Sequence, residues 1–272
     1  MFIYMVSGCP HMGLLTFVGL GLYSERDITL AGLEAARSCD TCFAEFYTSA
    51  LGVSLEEVEK MLGRAVVPLS REEVEEGSVI LGGAERESVC LLTGGDPMTA
   101  TTHVDLRLRA VERGIATRVI HGVSISTAAA GLLGLQSYKF GRATTLVTPQ
   151  ENYFPTSPYE VIRDNKQRGL HTLVLLDIHQ HAARYMTANQ GIDVLLEMER
   201  RMSQEVIMDK TLLAVVARAS SPSPVVKAGY PPELRRGDFG PPLHTLVVPG
   251  HLHPMEARAL VLLAGAPSEL LG

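Results

Sequence analysis

Apolar residues fall into short runs separated by charged segments with helical spacing, from one end of the chain to the other. Leu14-Leu-Thr-Phe-Val18 runs into Gly19-Leu-Gly-Leu22 and reads as a first strand, after which a helix opens near Asp27-Ile-Thr29 with Thr29 as its cap. Val66-Val-Pro-Leu69, Ser88 to Thr93 and Thr117-Arg-Val-Ile120 repeat the pattern, each set apart by an amphipathic segment. Such alternation predicts an α/β fold. Past Tyr138-Lys-Phe-Gly141, strands are predicted at Thr144 to Thr148, His171 to Ile178, Thr211 to Ala219, Val225 to Gly229 and His244 to Val248. Helices are predicted at Tyr159 to Gln167, Thr187 to Met202 and Pro254 to Ala264. Two strands between residues 211 and 230 follow one another without a helix, so a hairpin and a mixed sheet are expected. The pattern thus predicts two α/β domains with a ligand cleft between them: an N-terminal domain over residues 14–137 and a C-terminal one, with the mixed sheet, over 138–272. Residues 1–13 read as an extension, with translation starting at Met1 or at Met12.

At 272 residues the chain is long enough for two cores, and 46% hydrophobic with 20% charged residues excludes disordered and fibrous classes. A net charge of −6 argues against a broad nucleic-acid footprint, which shows as a basic face, so no nucleic-acid partner is expected. No apolar run reaches the roughly 18–20 residues that span a bilayer, and Met1-Phe-Ile-Tyr-Met-Val6 lacks the leading positive charge and length of a signal peptide. A cytoplasmic protein without a membrane partner is expected.

Gly94-Gly-Asp-Pro97 is the most specific local signal. It ends an apolar strand and a helical pattern resumes near Thr101-Thr102, which is where open α/β sheets bind ligands. A carboxylate there suits a ribose hydroxyl or an ammonium group. Gly19-Leu-Gly21 is similar to a dinucleotide fingerprint, but the third glycine of G-x-G-x-x-G is replaced by Ser24, which leaves a turn needing flexible backbone as the plainer reading. His121-Gly-Val-Ser124-Ile-Ser126 lacks the closing glycine of a nucleophile elbow, so Ser124 reads as a helix cap whose backbone faces a ligand. Cys39-Asp-Thr-Cys42 stands without a second pair, and with Cys9 and Cys90 it reads as packing thiols, with redox or metal use as the sharper alternative. His179-Gln-His181 and His251-Leu-His253 lack a third ligand at recognisable spacing, and no metal is expected.

Several stretches acquire meaning together: Phe17-Val-Gly-Leu-Gly-Leu22, Asp27-Ile-Thr29, Glu45-Phe-Tyr-Thr-Ser49, Gly94-Gly-Asp-Pro97 with Ala100-Thr-Thr-His103, Gly134 to Gly141, Asn152-Tyr-Phe-Pro-Thr-Ser157, Gly169-Leu-His-Thr172 and Ala217-Arg-Ala219. In this combination, from about Leu14 to the C-terminus, the chain resembles the diphthine synthase family of the tetrapyrrole-methylase-like superfamily. The resemblance implies an enzyme using S-adenosylmethionine to methylate, and in the archaeal type to trimethylate, an amine. That amine belongs to the 3-carboxy-3-aminopropyl group on one histidine of translation elongation factor 2, and the product is diphthine. It also implies a homodimer. Matched residue by residue, it implies cofactor contacts at Leu22, Asp96, Thr99, Ser124, Ile125, Leu176, Ala219 and His244. Glu45, Tyr47, Tyr153 and Phe154 are candidates for the acceptor side, where a carboxylate or an aromatic face would hold a cationic product. No residue is assigned as a catalytic base, and Lys139 and Arg142 are candidates to meet the elongation factor. Alternatives left open are a methyltransferase acting on a tetrapyrrole or on ribosomal RNA, a nucleotide-binding oxidoreductase, and a silent adapter.

Overall fold

The computed structural model describes residues 13–47, 49, 51–179 and 184–272, the side chain of His179 excepted. The extension over residues 1–12 with its alternative starts, Cys9, and the His179-Gln-His181 pair as ligands therefore lie outside the described residues. Two compact units divide between Ser124 and Ile125.

The first unit is built on five parallel strands, β1 (Leu14–Gly19), β2 (Thr41–Glu45), β3 (Val67–Leu69), β4 (Ser88–Thr93) and β5 (Ala116–Ile120), in the order β3-β2-β4-β1-β5. Because all five run the same way, their carboxyl ends share one edge. Helices α1 (Leu30–Ser38) and α2 (Leu55–Leu62) supply Ala35, Ala36, Val58 and Leu62 to one face of the sheet, against Val18, Leu20 and Leu92. Helices α3 (Arg71–Glu76), α4 (Ser78–Ala84) and α5 (His103–Glu112) cover the other face, where Val74, Ile80, Leu81 and Leu106 pack on Leu15, Phe17 and Leu91. Both faces being covered explains why these strands read as nearly continuous apolar runs. The connection from β1 leads toward β2 and that from β4 toward β5, so adjacent strands send their chains in opposite directions. At such a point the carboxyl edge of a sheet is left uncovered.

Thr29 caps α1 as expected, its Oγ1 accepting from the Gly32 amide at 3.0 Å. Ser24 has its own task. It caps a 3-10 turn, Glu25–Asp27, in a capping box whose Asp27 Oδ2 accepts from the amides of Tyr23 at 2.8 Å and Ser24 at 3.2 Å. The glycine loop thus runs into a capped turn before the helix, and a third glycine has no role there.

The second unit holds α6 (Ile125–Leu133) and a mixed sheet in the order β11-β10-β12-β7-β6, from β6 (Thr144–Leu146), β7 (Thr172–Leu176), β10 (Leu213–Ala217), β11 (Val225–Gly229) and β12 (His244–Val248). The expected hairpin is β10 with β11, antiparallel from Leu213↔Gly229 to Ala217↔Val225, and only β6 and β7 run parallel. Two short strands, β8 (Ile178–His179) and β9 (Arg184–Tyr185), form a separate ribbon. Helices α7 (Ser157–Gln167) and α8 (Ala188–Met202) bury Tyr159, Ile162, Ile192 and Leu195 in the core of this unit, and a short α9 (Pro231–Leu234) and α10 (Pro254–Ala264) complete it. The unit begins ahead of residue 138, where the sequence pattern changes, because α6 packs on α10: a Cβ on Gly134 would lie 2.5 Å from that of Ala259. The Ala128 to Leu133 run, open between core and interface in the sequence, turns Ala129, Ala130 and Leu133 into the core.

Tyr138-Lys-Phe-Gly141 is an internal joint. Lys139 pairs with the buried Glu256 and donates to the His251 carbonyl at 2.6 Å, so its charge is committed within the unit and is not offered to a partner. Glu256 Oε1 also accepts from His171 Nε2 and from the Gln136 amide, both at 2.9 Å, and Oε2 accepts from the His253 amide at 2.8 Å. His171 is fully buried and neutral, its Nδ1 accepting from the Gly250 amide at 2.9 Å. Burial opposes the Glu256 charge, but Lys139, the two amides and His171 outweigh it and lower the carboxyl from 4.5 to about 2.

No helix among the described residues is long and apolar enough to cross a membrane. Replacing Glu256 with Ala strands Lys139, His171 and two amides, and is expected to cost about 3–5 kcal/mol in urea unfolding. Because the folded carboxyl titrates below its unfolded value, its contribution is complete above pH 4.5 and is lost as pH falls toward about 2. The unfolding midpoint of the native chain should therefore fall across that window, and that of Glu256→Ala should fall less.

Candidate functional site

Three strand ends of the first unit meet backbone to backbone. A Cβ on Gly19 would lie 2.5 Å from both the Gly122 amide nitrogen and the Gly95 carbonyl oxygen, and one on Gly122 would lie 2.4 Å from that same oxygen. Side chains do not fit at such distances. Gly21 and Gly95, with φ of +80° and +75°, exchange hydrogen bonds, Gly95 N–H to Gly21 O at 2.6 Å and Gly21 N–H to Gly95 O at 3.3 Å. Gly95 is buried, yet a Cβ there would meet nothing within 4 Å. A slot therefore opens against bare backbone at the uncovered edge of the sheet.

Asp96 fastens this junction. Its Oδ1 accepts from the Met98 amide at 2.9 Å and from Thr99 Oγ1 at 3.2 Å, and its Oδ2 from His121 Nδ1 at 2.7 Å and the Gly122 amide at 3.3 Å. Only 8% of Asp96 is exposed. Burial works against its charge, but the Met98 amide, His121 and Thr99 prevail and hold the carboxyl below its ordinary value. The carboxylate read as suiting a ribose hydroxyl or an ammonium group is thus one that the loops around it already engage. Both oxygens are engaged in tying the loop after β4 to the loop after β5. Around this tie, Leu22 is half-buried, Thr99 exposed and Ser124 half-buried, while Ile125 begins α6 in the second unit.

Of the remaining expected cofactor residues, Leu176 ends β7 and His244 begins β12, on the edge of the second sheet where β10 also ends and leads into Ala219. All three are buried. His244 spends both ring nitrogens internally: Nδ1 accepts from the Ala188 amide at 3.1 Å, and Nε2 donates to the carbonyls of Gly240 and Pro241, both at 3.1 Å. Burial lowers its pKa, so the ring is neutral and only its backbone remains for a ligand. Arg218 and Ser220, on either side of Ala219, have φ of 50° and 66°, a conformation costly for residues with a Cβ.

The acceptor candidates divide between the two units. Glu45, the last residue of β2, is fully buried with its Oε1 3.8 Å from His103 Nε2, so it presents no surface to a substrate. His103 Nδ1 donates to the Pro97 carbonyl at 2.9 Å, and burial lowers its pKa. Tyr47 is half-buried nearby, and burial raises its hydroxyl. Tyr153 and Phe154 lie in the second unit, beside an open cavity of about 640 Å3 that Glu151, Asp193, Glu197 and Arg201 also line. Tyr153 is exposed, but the Arg201 guanidinium sits 3.8 Å from the Phe154 ring centroid. One face of that ring, a candidate for the cationic product, thus already holds a cation.

The sequence also left residues unassigned. His121 and Gly122 form half of the Asp96 tie, and a glycine two residues past a predicted strand was the only sign of it. Cys90 lies beside Cys42 in the register of β4 and β2, and the sulfurs of Cys39, Cys42 and Cys90 all lie within 4.8 Å of one another.

The model of the tetrapyrrole (corrin/porphyrin) methylases matches residues 14–229, and the chain belongs to that family as a methyltransferase. Its similarity within the family is specific. Diphthine synthase of Methanosarcina acetivorans is 49% identical over 264 residues, covering 95% of this chain and 98% of that one. Diphthine synthase of Methanosphaerula palustris is 51% identical over 254 residues, covering 93% and 99%. A crystal structure of diphthine synthase superposes with a TM-score of 0.87 at 42% identity, covering 95% of this chain and 98% of that chain. A putative diphthine synthase from Entamoeba histolytica gives 0.83 at 35% identity, over 94% and 100%.

The backbone junction makes a graded prediction. Gly95→Ala, with open space but a left-handed φ, should cost about 1–2 kcal/mol in urea unfolding. Gly122→Ala, driven into the Gly95 carbonyl, should cost about 3 kcal/mol or more. Equal costs would mean that the strand ends do not touch as described.

Proposed function

We propose that the chain transfers methyl groups from S-adenosylmethionine to the amino group of the 3-carboxy-3-aminopropyl-histidine of translation elongation factor 2, giving diphthine. The observation that carries the reading is the near full-length identity to proteins named diphthine synthase. The slot at Gly95 agrees with it, because a glycine-lined backbone edge admits a flat, polar cofactor where a side chain would exclude it. In this reading Leu22, Thr99 and Ser124 border the cofactor in the first unit, and Asp96 acts by fixing the loop. Leu176, Ala219 and the His244 backbone are proposed as further contacts.

The cofactor supplies a methyl group on a sulfonium, which is already a good leaving group. The protein's share is then to hold the amine in line and to keep water out, and positioning of that kind supplies up to about 7–11 kcal/mol in favourable systems. The amine attacks only when neutral, and each transfer releases a proton to solvent or to a nearby acceptor. Tyr153, exposed beside the acidic residues Glu151, Asp193 and Glu197, is the aromatic face left for a cationic product.

Mass spectrometry of the elongation factor intermediate, incubated with the protein and S-adenosylmethionine, should show methyl increments on the modified histidine, up to three in the archaeal manner. Asp96→Asn should keep the fold but weaken S-adenosylhomocysteine binding at least about tenfold, equivalent to ~1.4 kcal/mol. No increment with the cofactor still bound would contradict the acceptor and point to a tetrapyrrole or RNA.

A further inference from the structure

Cys39 closes α1, Cys42 lies one turn on in β2, and Cys90 sits beside Cys42 in β4. Their exposures are 8%, 2% and 0%, so the three thiols form one nearly dry cluster with Cys39 at its outer side. All three sulfurs lie within 4.8 Å of one another. Three thiolates around one ion at a metal–sulfur distance of about 2.3 Å stand about 4.0 Å apart, so less than 1 Å of closure converts this cluster into a trigonal site. The scaffold is rigid, since two of the ligands are neighbours in a parallel sheet and the third ends a helix.

The charge around the cluster is also arranged. The Arg64 guanidinium reaches the carbonyls of Cys39 and Asp40 and lies 3.5 Å from the Cys39 sulfur, placing a fixed positive charge beside sulfurs that a bound ion would hold as thiolates. The Cys39 thiol also donates to the Ala36 carbonyl at 3.2 Å, which fixes the direction of its sulfur at the end of α1. Binding of a cation would displace the thiol protons.

We propose that Cys39, Cys42 and Cys90 form a binding site for a thiophilic d10 cation, with Cu(I) as the ion whose preference for three sulfurs fits best. An all-sulfur donor set rejects hard cations such as magnesium and calcium, which take oxygen. Zinc in a structural site takes four ligands, and the buried cluster supplies three. Entry is from the Cys39 side, beside the exposed Asp40. Bound there, the ion staples the end of α1 to the central strands and stabilises the first unit by mass action.

The full-length reduced protein is titrated anaerobically with Cu(I) against a competing chelator, and the loaded protein is read by X-ray absorption and thermal unfolding. The expected result is one ion per chain with three sulfur neighbours at about 2.3 Å, a raised unfolding midpoint and proton release on binding. Cys9→Ser should leave the stoichiometry unchanged, while Cys90→Ser should lower the affinity at least about a hundredfold. Arg64→Gln, which removes no sulfur, should weaken binding and keep the three-sulfur signature. Absence of binding, a two-sulfur ion unaffected by Cys90→Ser, or a Cys39–Cys42 disulfide in the anaerobically purified protein would each overturn the assignment.

Discussion

The first unit depends on a contact made entirely by backbone: Gly19, Gly95 and Gly122, each just past or at the end of a strand, approach closely enough that a Cβ on Gly19 or Gly122 would overlap a neighbour's main chain. With no side chains at the junction, the loops cannot be held by apolar packing there. The fastening falls to Asp96, whose four acceptor interactions connect the β4 loop with the β5 loop. Buried carboxylates are costly unless every lone pair finds a donor, and this one does.

The second unit answers the same demand with different residues. Glu256, near the start of α10, gathers Lys139, His171 and two amides, while His244 uses both ring nitrogens to join the start of α8 to the loop before β12. In each case a polar side chain with complete hydrogen bonding fixes a loop at a strand edge. Asp96, Glu256 and His244 thus commit their polar side-chain atoms to holding loops in place.

The strands, the hairpin and the mixed second sheet were legible because burial on two faces, or on one, writes itself into the spacing of apolar residues. The place of the glycine turns was legible for a related reason, as only a turn or a close approach calls for Gly94-Gly95-Asp96-Pro97 after an apolar run. What sequence spacing does not carry is the direction in which a polar side chain points. Asp96, read as suiting a ligand, has both oxygens engaged by neighbouring loops; Lys139, a candidate for partner contact, closes on Glu256; Phe154, a candidate for the product side, has Arg201 over one ring face. Cys90 lies far along the chain from Cys39 and Cys42, and only strand register brings the three together. The family resemblance supplied the methyltransferase class, which periodicity by itself left open.

The central claim is that the bare backbone edge around Gly21, Gly95 and Gly122 receives the cofactor. Its most direct test is an amide NMR titration of the isotope-labelled protein with S-adenosylhomocysteine. The account predicts that the amide signals of Gly21, Gly95, Gly122 and Thr99 move together and saturate at one equivalent. Saturable binding that leaves those four signals in place would contradict it.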